Sequence, residues 1–128
     1  MIHASLLTPD STVGVVENPG PDRRVHGNPV QTTRVCFSAP AGEFECGWWE
    51  CEVGAYRLEL TAAMHEFFFV IEGRLRIVSE DGSAADCGPG DACVIPAGFK
   101  GVVDVIEPVR KYFAFGTQVA AASSSAAE

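Results

Sequence analysis

The five cysteines have four different chemical outcomes open to them: a disulfide, a zinc site, a reactive thiol or simple packing. Cys46 and Cys51 are separated by four residues, but no second ligand pair follows at the spacing of a zinc site. No basic neighbour in the sequence favours a thiolate. An odd number of cysteines in a chain without a secretory signal predicts free thiols that pack in the core. The cysteines are Cys36, Cys46, Cys51, Cys87 and Cys93.

The charge balance excludes two classes of partner. Seventeen acidic and nine basic residues give a net charge of −8, which repels nucleic acid and anionic lipid. No apolar run reaches the roughly 18–20 residues that span a bilayer. Residues 1–10 lack the basic and apolar regions of a secretory signal. We therefore expect a cytoplasmic protein with no nucleic-acid partner and no membrane partner.

Short strands must position any functional side chain. Thirteen glycines and eight prolines separate segments rich in β-branched and aromatic residues, and no segment has a 3.6-residue period. We predict turns at Glu72–Gly73, Glu80–Ser83 and Gly88–Asp91, with Pro108 separating the last two strands. The pattern predicts a β-barrel or sandwich. The predicted strands are Gln31–Ser38, Phe44–Trp49, Ala55–Leu60, Phe67–Ile71, Arg74–Val78, Ala92–Ile95, Val102–Ile106 and Lys111–Phe115.

The length of 128 residues fits a single domain. Residues 1–30 contain turn clusters and are predicted to form an N-terminal arm that packs on the barrel. Residues 31–118 are predicted to form the barrel itself. Residues 119–128 are small and polar, and we expect them to form a flexible tail.

Two glycine-anchored motifs resemble the signature motifs of the cupin superfamily. The first contains Gly54, Glu66 and Gly73. The second, Gly90–Gly98, has a proline six residues after its first glycine and another glycine two residues later. Residues 49–115 look like the small single-domain cupins related to ureidoglycine aminohydrolase and to the ethanolamine-utilisation cupins. The resemblance implies an all-β, RmlC-like cupin jelly-roll β-barrel.

The same resemblance implies where a metal would bind. Metal-binding cupins take two histidines and a glutamate from the first motif and a histidine from the second. These positions fall on Leu60, Ala62, Glu66 and Gly101, so one ligand of four is present, and we expect no metal or other cofactor. His65 is a candidate replacement ligand. Adjacent residues of a strand point to opposite faces, however, so His65 and Glu66 would need a local bulge to meet.

The residues that share the orientation of these metal positions are mostly apolar, and Tyr56 and Glu66 are the polar ones. Lys111 lies on the strand that the family pattern pairs with this pocket, and it would compensate the buried Glu66 charge. The Glu66–Lys111 pair is either structural, an acid/base couple or an anchor for a polar ligand. The candidate catalytic residues are Glu66, Lys111 and Tyr56. The candidate ligand contacts are Trp49, Tyr56, Phe68 and Val103. Val103 stands where these small cupins usually carry a tryptophan.

Side chains of the opposite orientation should face outward. These include Arg57, Glu59, Phe67 and Phe69. Two exposed phenylalanines would form an apolar patch. Cupins commonly dimerise, and we therefore predict a homodimer.

Three functional hypotheses follow, and they leave open whether the protein is an enzyme. The first is a small-molecule-binding cupin with a degenerate metal site, which could act on a small polar metabolite by metal-independent acid/base chemistry. The second is a metal-dependent cupin enzyme, of the aminohydrolase or dioxygenase type, with His65 and Glu66 as non-standard ligands. The third is a ligand-sensing or dimerisation module without catalysis.

Overall fold

The computed structural model describes residues 1–118, which form a curled antiparallel sheet of nine strands and one 3₁₀ turn, Pro9–Ser11. This confirms the predicted all-β jelly roll. Within these residues no helix has the length and apolar character needed to cross a membrane. The predicted tail, 119–128, lies outside the described residues. The strands are β1 Val15–Glu17, β2 Arg24–His26, β3 Gln31–Ser38, β4 Phe44–Cys51, β5 Gly54–Glu59, β6 Met64–Ser79, β7 Ala84–Cys87, β8 Ala92–Ile95 and β9 Lys100–Thr117.

The two longest strands, β6 and β9, pair antiparallel along nearly their whole length. The predicted turn at Glu72–Gly73 and the predicted break at Pro108 are therefore wrong. The register of the pair shifts between Val70 and Leu75, so an irregularity bends β6 without ending it. Gly73 has a φ of +84°, and a Cβ there would collide with the Pro108 carbonyl. The glycine and the proline thus mark one bend that the two strands share.

Strand β9 connects the rest of the sheet to β6. Its first part pairs with β5, from Glu59↔Lys100 to Gly54↔Val105. Its second part pairs with β4, from Cys51↔Val109 to Phe44↔Gly116. Residues from β4, β5, β6 and β9 consequently reach one interior space, which is where the predicted site residues lie.

Two short strands near the N-terminus extend the sheet. Strand β1 pairs with β3, and β2 pairs with β5 through Arg24↔Tyr56. The sequence showed only turn clusters here, because three-residue strands carry too few residues for a period to appear. The division of the chain at residue 30 stays a prediction.

Side chains alternate between the interior and the outer face as the period of two predicts. On β6, Glu66, Phe68 and Val70 are buried, whereas Phe67 and Phe69 are exposed. The fully buried centre of the core consists of Phe68, Val70, Leu75, Ile95, Val105 and Val109.

All five cysteines are free, and Cys51 and Cys87 are buried. Burial, with a smaller contribution from the Glu52 carboxylate, raises the pKa of the Cys51 thiol to about 12. Burial, with Cys93 as the next cause, raises the pKa of the Cys87 thiol to about 11. These two thiols therefore stay protonated and pack as small apolar side chains.

Candidate functional site

A buried ion pair joins β6 and β9 inside the barrel. Lys111 Nζ donates a hydrogen bond to Glu66 Oε2 over 2.9 Å. The two side chains are only 6% and 8% exposed. Glu66 is placed here by the alternation of β6, and Lys111 by the pairing Val70↔Lys111. The sequence-predicted compensation of Glu66 by Lys111 is therefore present as a direct contact.

Two aromatic rings complete the surroundings of the Lys111 ammonium. Its Nζ lies 3.8 Å from the centroid of the Phe68 ring and 4.5 Å from the centroid of the Trp49 ring. Trp49 is the cross-strand neighbour of Lys111 on β4. The negative faces of the rings attract the cation, so the ammonium is stabilised by Glu66 and the two aromatic side chains together.

The ion pair lies on the wall of a cavity of about 180 Å³. Five of the six predicted site residues line this cavity, and Phe68 does not. Phe68 is fully buried and lies against the Lys111 ammonium, behind the wall, so any effect of Phe68 on a ligand would act through Lys111. The lining residues are Arg23, Gln31, Thr33, Trp49, Tyr56, Leu58, Glu66, Ile95, Val103, Lys111, Phe113 and Phe115.

Tyr56 brings a hydroxyl group to the same cavity. It lies on β5 opposite Val103 of β9, and it is 6% exposed. Burial is the main cause that raises the pKa of the Tyr56 hydroxyl far above its ordinary value, followed by the nearby Cys51 and Glu66. Tyr56 is therefore neutral at physiological pH, and its hydroxyl can donate a hydrogen bond to a ligand.

Three polar residues of the cavity were missed at the sequence level: Arg23, Gln31 and Thr33. The Gln31 side-chain oxygen accepts a hydrogen bond from Trp49 Nε1 over 3.2 Å. The Arg23 guanidinium carbon lies 5.7 Å from the centroid of the Tyr56 ring. Arg23 reaches the cavity because β2 pairs with β5, and neither a motif nor a period in the sequence signals that pairing.

The positions that hold the metal in other cupins do not form a metal site here. Leu60 packs against the apolar core, and Ala62 is exposed in the turn after β5, so the prediction that Ala62 faces inward is wrong. Alternation fails there because the strand has already ended at Glu59. At Gly101 a Cβ would collide with the Val78 carbonyl and the Phe99 ring. This set of residues does not fit a transition metal, which needs several imidazole or carboxylate ligands.

His65 and Glu66 are adjacent on β6 and both border a shallow outer depression, which Phe67 and Val94 also line. Glu66 is buried, whereas His65 is only half-buried. The His65 Nδ1 accepts a hydrogen bond from the backbone N–H of Ala97 over 2.9 Å. Within residues 1–118, no three histidine, cysteine, aspartate or glutamate side chains form a group that could hold a metal ion.

The curled antiparallel sheet and its interior cavity have the architecture of a jelly roll, the fold class that includes the cupins. The chain belongs to the EutQ-like cupin domain family, whose model matches residues 38–113. The predicted cupin identity is thereby confirmed at the level of this family. The finer link to ureidoglycine aminohydrolase stays a prediction.

Solved structures show the same fold. A protein of unknown function from Pseudomonas syringae pv. tomato aligns with a TM-score of 0.72 and 21% identity over 82% of this chain and 45% of its own. EutQ from Clostridium difficile aligns with a TM-score of 0.63 and 23% sequence identity, and the alignment covers 73% of this chain and 66% of EutQ. Ectoine synthase from P. lautus aligns with a TM-score of 0.65 and 16% sequence identity, and the alignment covers 99% of this chain and 86% of the synthase.

The chain thus spans less than half of the P. syringae protein and about two thirds of the C. difficile EutQ. At these identities the likeness is one of fold alone. No curated protein matches the chain by sequence.

Proposed function

We propose that this cupin binds a small polar metabolite in the barrel cavity, with Glu66 and Lys111 as the polar end of the site. The observation that carries the proposal is that both partners of a buried ion pair line one cavity. Buried charges beside a cavity are typical of ligand sites, where polar groups fix the orientation of a bound molecule.

The proposed ligand contacts follow from the hydrogen-bond donors and acceptors that each side chain still has available. Glu66 Oε2 accepts from Lys111, which leaves Oε1 to accept a hydrogen bond from a hydroxyl or amino group. The Tyr56 hydroxyl is protonated and can donate to a ligand oxygen. Trp49 and Val103 supply apolar wall. A molecule with both a donor and an acceptor on a short apolar frame satisfies these groups.

An acid/base reaction on that ligand is the second candidate. The Glu66 carboxylate lines the cavity with the Lys111 ammonium 2.9 Å away, and a carboxylate within reach of a ligand is a group that can act as a general base. Tyr56 would donate a proton or a hydrogen bond to the oxygen that gains charge. In this scheme Glu66 removes a proton, Lys111 stabilises the carboxylate, and Tyr56 is the electrophilic group. Proton transfer, isomerisation and elimination are all compatible with these roles.

We propose that the protein works without a metal ion and that it is cytoplasmic. The absence of a metal is argued from the side chains at Leu60, Ala62 and Gly101, which cannot donate a lone pair to an ion. Metal analysis of the purified protein tests this part. Less than about 0.1 equivalent of Mn, Fe, Ni or Zn is expected, and a stoichiometric metal that His65→Ala removes would favour the metal-dependent hypothesis instead.

We also propose that the chain forms a homodimer through the outer face of β6 and β8. Phe67, Phe69 and Ile71 on β6 and Val94 on β8 are exposed there. The pairing Phe67↔Val94 makes these side chains one continuous apolar surface. Apolar surfaces of this kind typically become covered by a partner, and a second copy of the chain is the partner proposed here.

Thermal unfolding in the presence of a panel of short polar metabolites tests the binding proposal. A ligand at 100 times its dissociation constant should stabilise the fold by about 2.7 kcal/mol. Glu66→Gln, which keeps the shape of the side chain, should abolish that stabilisation. Glu50→Gln, which changes a carboxylate on β4 in a surface ion pair with Arg110, should not. Equal stabilisation of the Glu66→Gln variant and the wild type would refute the assigned role of Glu66.

Conversion of the stabilising ligand tests the acid/base candidate. Incubation followed by NMR should show turnover by the wild type and a loss of about 100-fold or more in Glu66→Gln. Turnover that survives this substitution would remove Glu66 from the chemistry and leave only its binding role.

A further inference from the structure

Arg23 lies where the cavity meets a larger groove on the barrel surface. The groove has a volume of about 720 Å³, and it shares Arg23 and Leu58 with the cavity. The Arg23 guanidinium carbon is 5.7 Å from the centroid of the Tyr56 ring, so the cation stands over one wall of the cavity. A molecule that enters the cavity from this groove passes Arg23.

The backbone at Arg23 is held firmly. Its N–H donates to the Gly20 carbonyl over 2.9 Å, and its carbonyl accepts from the Arg57 N–H over 2.7 Å. Arg57 Nη1 also donates to the carbonyl of Asp22 over 2.9 Å. The turn before β2 is therefore fixed to β5, which fixes the point from which the Arg23 side chain extends.

The exposed guanidinium of Arg23, in contrast, makes no hydrogen bond and no ion pair within residues 1–118, and the Tyr56 ring is its one described neighbour. It takes part in none of the three ion pairs found there. Other arginines of the same region are engaged: Arg24 Nε donates to the Pro19 carbonyl over 3.1 Å, and Arg34 Nη1 to the Thr12 carbonyl over 2.7 Å. Arg23 thus offers free N–H donors at the cavity, with its backbone already in place.

The cavity carries a net positive charge in an acidic protein. Among its twelve lining residues the charged ones are Arg23, Lys111 and Glu66, and the last two neutralise each other at 2.9 Å. The charge left over is that of Arg23. The volume of about 180 Å³ is below the roughly 300–1,000 Å³ of most ligand pockets. A ligand that fits this space and complements its charge is short and carries a negative group.

We propose that Arg23 binds the carboxylate of a short hydroxy- or amino-carboxylate whose other end reaches Glu66. The planar guanidinium presents paired N–H donors that match the two oxygens of a carboxylate. The hydroxyl or amino group of the ligand donates to Glu66 Oε1, and the Tyr56 hydroxyl donates to a carboxylate oxygen of the ligand. This inference rests on the proposed function and names the class of ligand for the same site.

Paired ligands of different charge test the inference. Isothermal titration compares glycolate, lactate and 3-hydroxypropionate with their primary amides, which have nearly the same shape and no charge. Wild-type protein should bind at least one carboxylate about tenfold or more tightly than its amide. Arg23→Gln should remove this preference, because it weakens carboxylate binding much more than amide binding. Lys100→Gln is the matched control, because Lys100 lines the groove but not the cavity.

The outcomes separate this inference from the proposed function. If carboxylates and amides bind with equal affinity, and Glu66→Gln weakens both, the cavity is a ligand site but Arg23 is not a carboxylate anchor. If Lys100→Gln removes the preference as fully as Arg23→Gln, the effect is the general charge of the groove, and the inference fails. If no member of the panel binds the wild type, both the inference and the proposed function fail for this class of ligand.

Discussion

Among single residues, the buried Glu66–Lys111 pair is the main electrostatic contribution to stability next to the cavity. Two charges have been removed from water, and their mutual attraction repays that cost only while both are present. The two aromatic rings against Lys111 compensate the cation but do nothing for the carboxylate. Loss of the lysine should therefore be worse for the protein than neutralisation of both partners.

Lys111→Met should lower the free energy of unfolding by about 3–5 kcal/mol, because it leaves Glu66 buried without its partner. The double variant Glu66→Gln/Lys111→Met should recover part of this loss, since no charge then stays buried. Urea unfolding at neutral pH measures both. The control is Glu50→Gln, whose surface ion pair with Arg110 spans 3.9 Å and should contribute less than about 1 kcal/mol. A Lys111→Met variant no less stable than this control would show that the pair is not truly buried.

Because of the buried thiols of Cys51 and Cys87, the free energy of unfolding should decrease at alkaline pH. In the unfolded chain they ionise near the ordinary pKa of 9.0, whereas in the folded protein the pKa is about 12 for Cys51 and about 11 for Cys87. Between these values the unfolded state binds fewer protons than the folded state, so the free energy of unfolding falls as the pH rises. The buried Tyr56 hydroxyl acts in the same direction at still higher pH. Below about pH 9 these groups contribute no pH dependence.

Urea unfolding at a series of pH values from 8 to about 11 checks this prediction. The midpoint should decline above about pH 9 in the wild type. The decline should be shallower in Cys51→Ala/Cys87→Ala than in Cys36→Ala, which changes a half-buried cysteine of β3. A midpoint that stays constant over this range would contradict burial of the thiols.

At the scale of elements, the shared bend of β6 and β9 depends on Gly73. Its positive φ strains any other residue, and a Cβ would also collide with the Pro108 carbonyl. Gly82, in the turn between β6 and β7, has a similar φ of +88°, but a Cβ there meets nothing within 4 Å. A substitution at Gly82 therefore adds backbone strain alone, whereas one at Gly73 adds both strain and a collision with the neighbouring strand.

Gly82→Ala should destabilise the fold by about 1 kcal/mol through strain alone. Gly73→Ala should destabilise it by about 3 kcal/mol, because β6 and β9 must also move apart. Urea unfolding of the two variants side by side gives the difference. Equal losses would mean that the bend does not need the close approach at Pro108.

Strand positions were predictable where turns rich in glycine and proline mark both ends of a strand. The predicted strands Gln31–Ser38 and Ala92–Ile95 match β3 and β8, because such turns flank each of them. The breaks at Glu72–Gly73 and Pro108 were wrong since local sequence cannot distinguish a turn from a bulge that a long partner strand bridges. Tertiary pairing decides that question.

At the scale of the whole molecule, the exposed apolar face of β6 and β8 predicts a dimer. Light scattering during size-exclusion chromatography should give a mass of about twice the 13.6 kDa of the chain. Phe67→Arg should shift the protein to the monomer, because a charge would then lie in the centre of the interface. Val25→Arg, which changes an exposed residue of the edge strand β2, should leave the dimer intact. A monomeric wild type would contradict the proposed interface.

Much of the candidate site was predictable from the motifs and the alternation of strands, which brought Trp49, Tyr56, Glu66 and Lys111 to one cavity. Arg23 was not, because its position depends on the pairing of β2 with β5, which are distant in the sequence. Phe68 was predicted on the correct face but as a ligand contact, whereas it lies deeper, behind the cavity wall. A period of two gives the side of a strand and not the depth of a side chain.

A crystallographic soak of the protein with the short hydroxy-carboxylates and their amides is the sharpest test of ligand binding by Glu66, Tyr56 and Arg23. Electron density is expected inside the barrel, within hydrogen-bond distance of Glu66 Oε1 and of the Tyr56 hydroxyl, with a carboxylate on Arg23. A cavity that stays closed to every compound, or density confined to the outer groove, would contradict it.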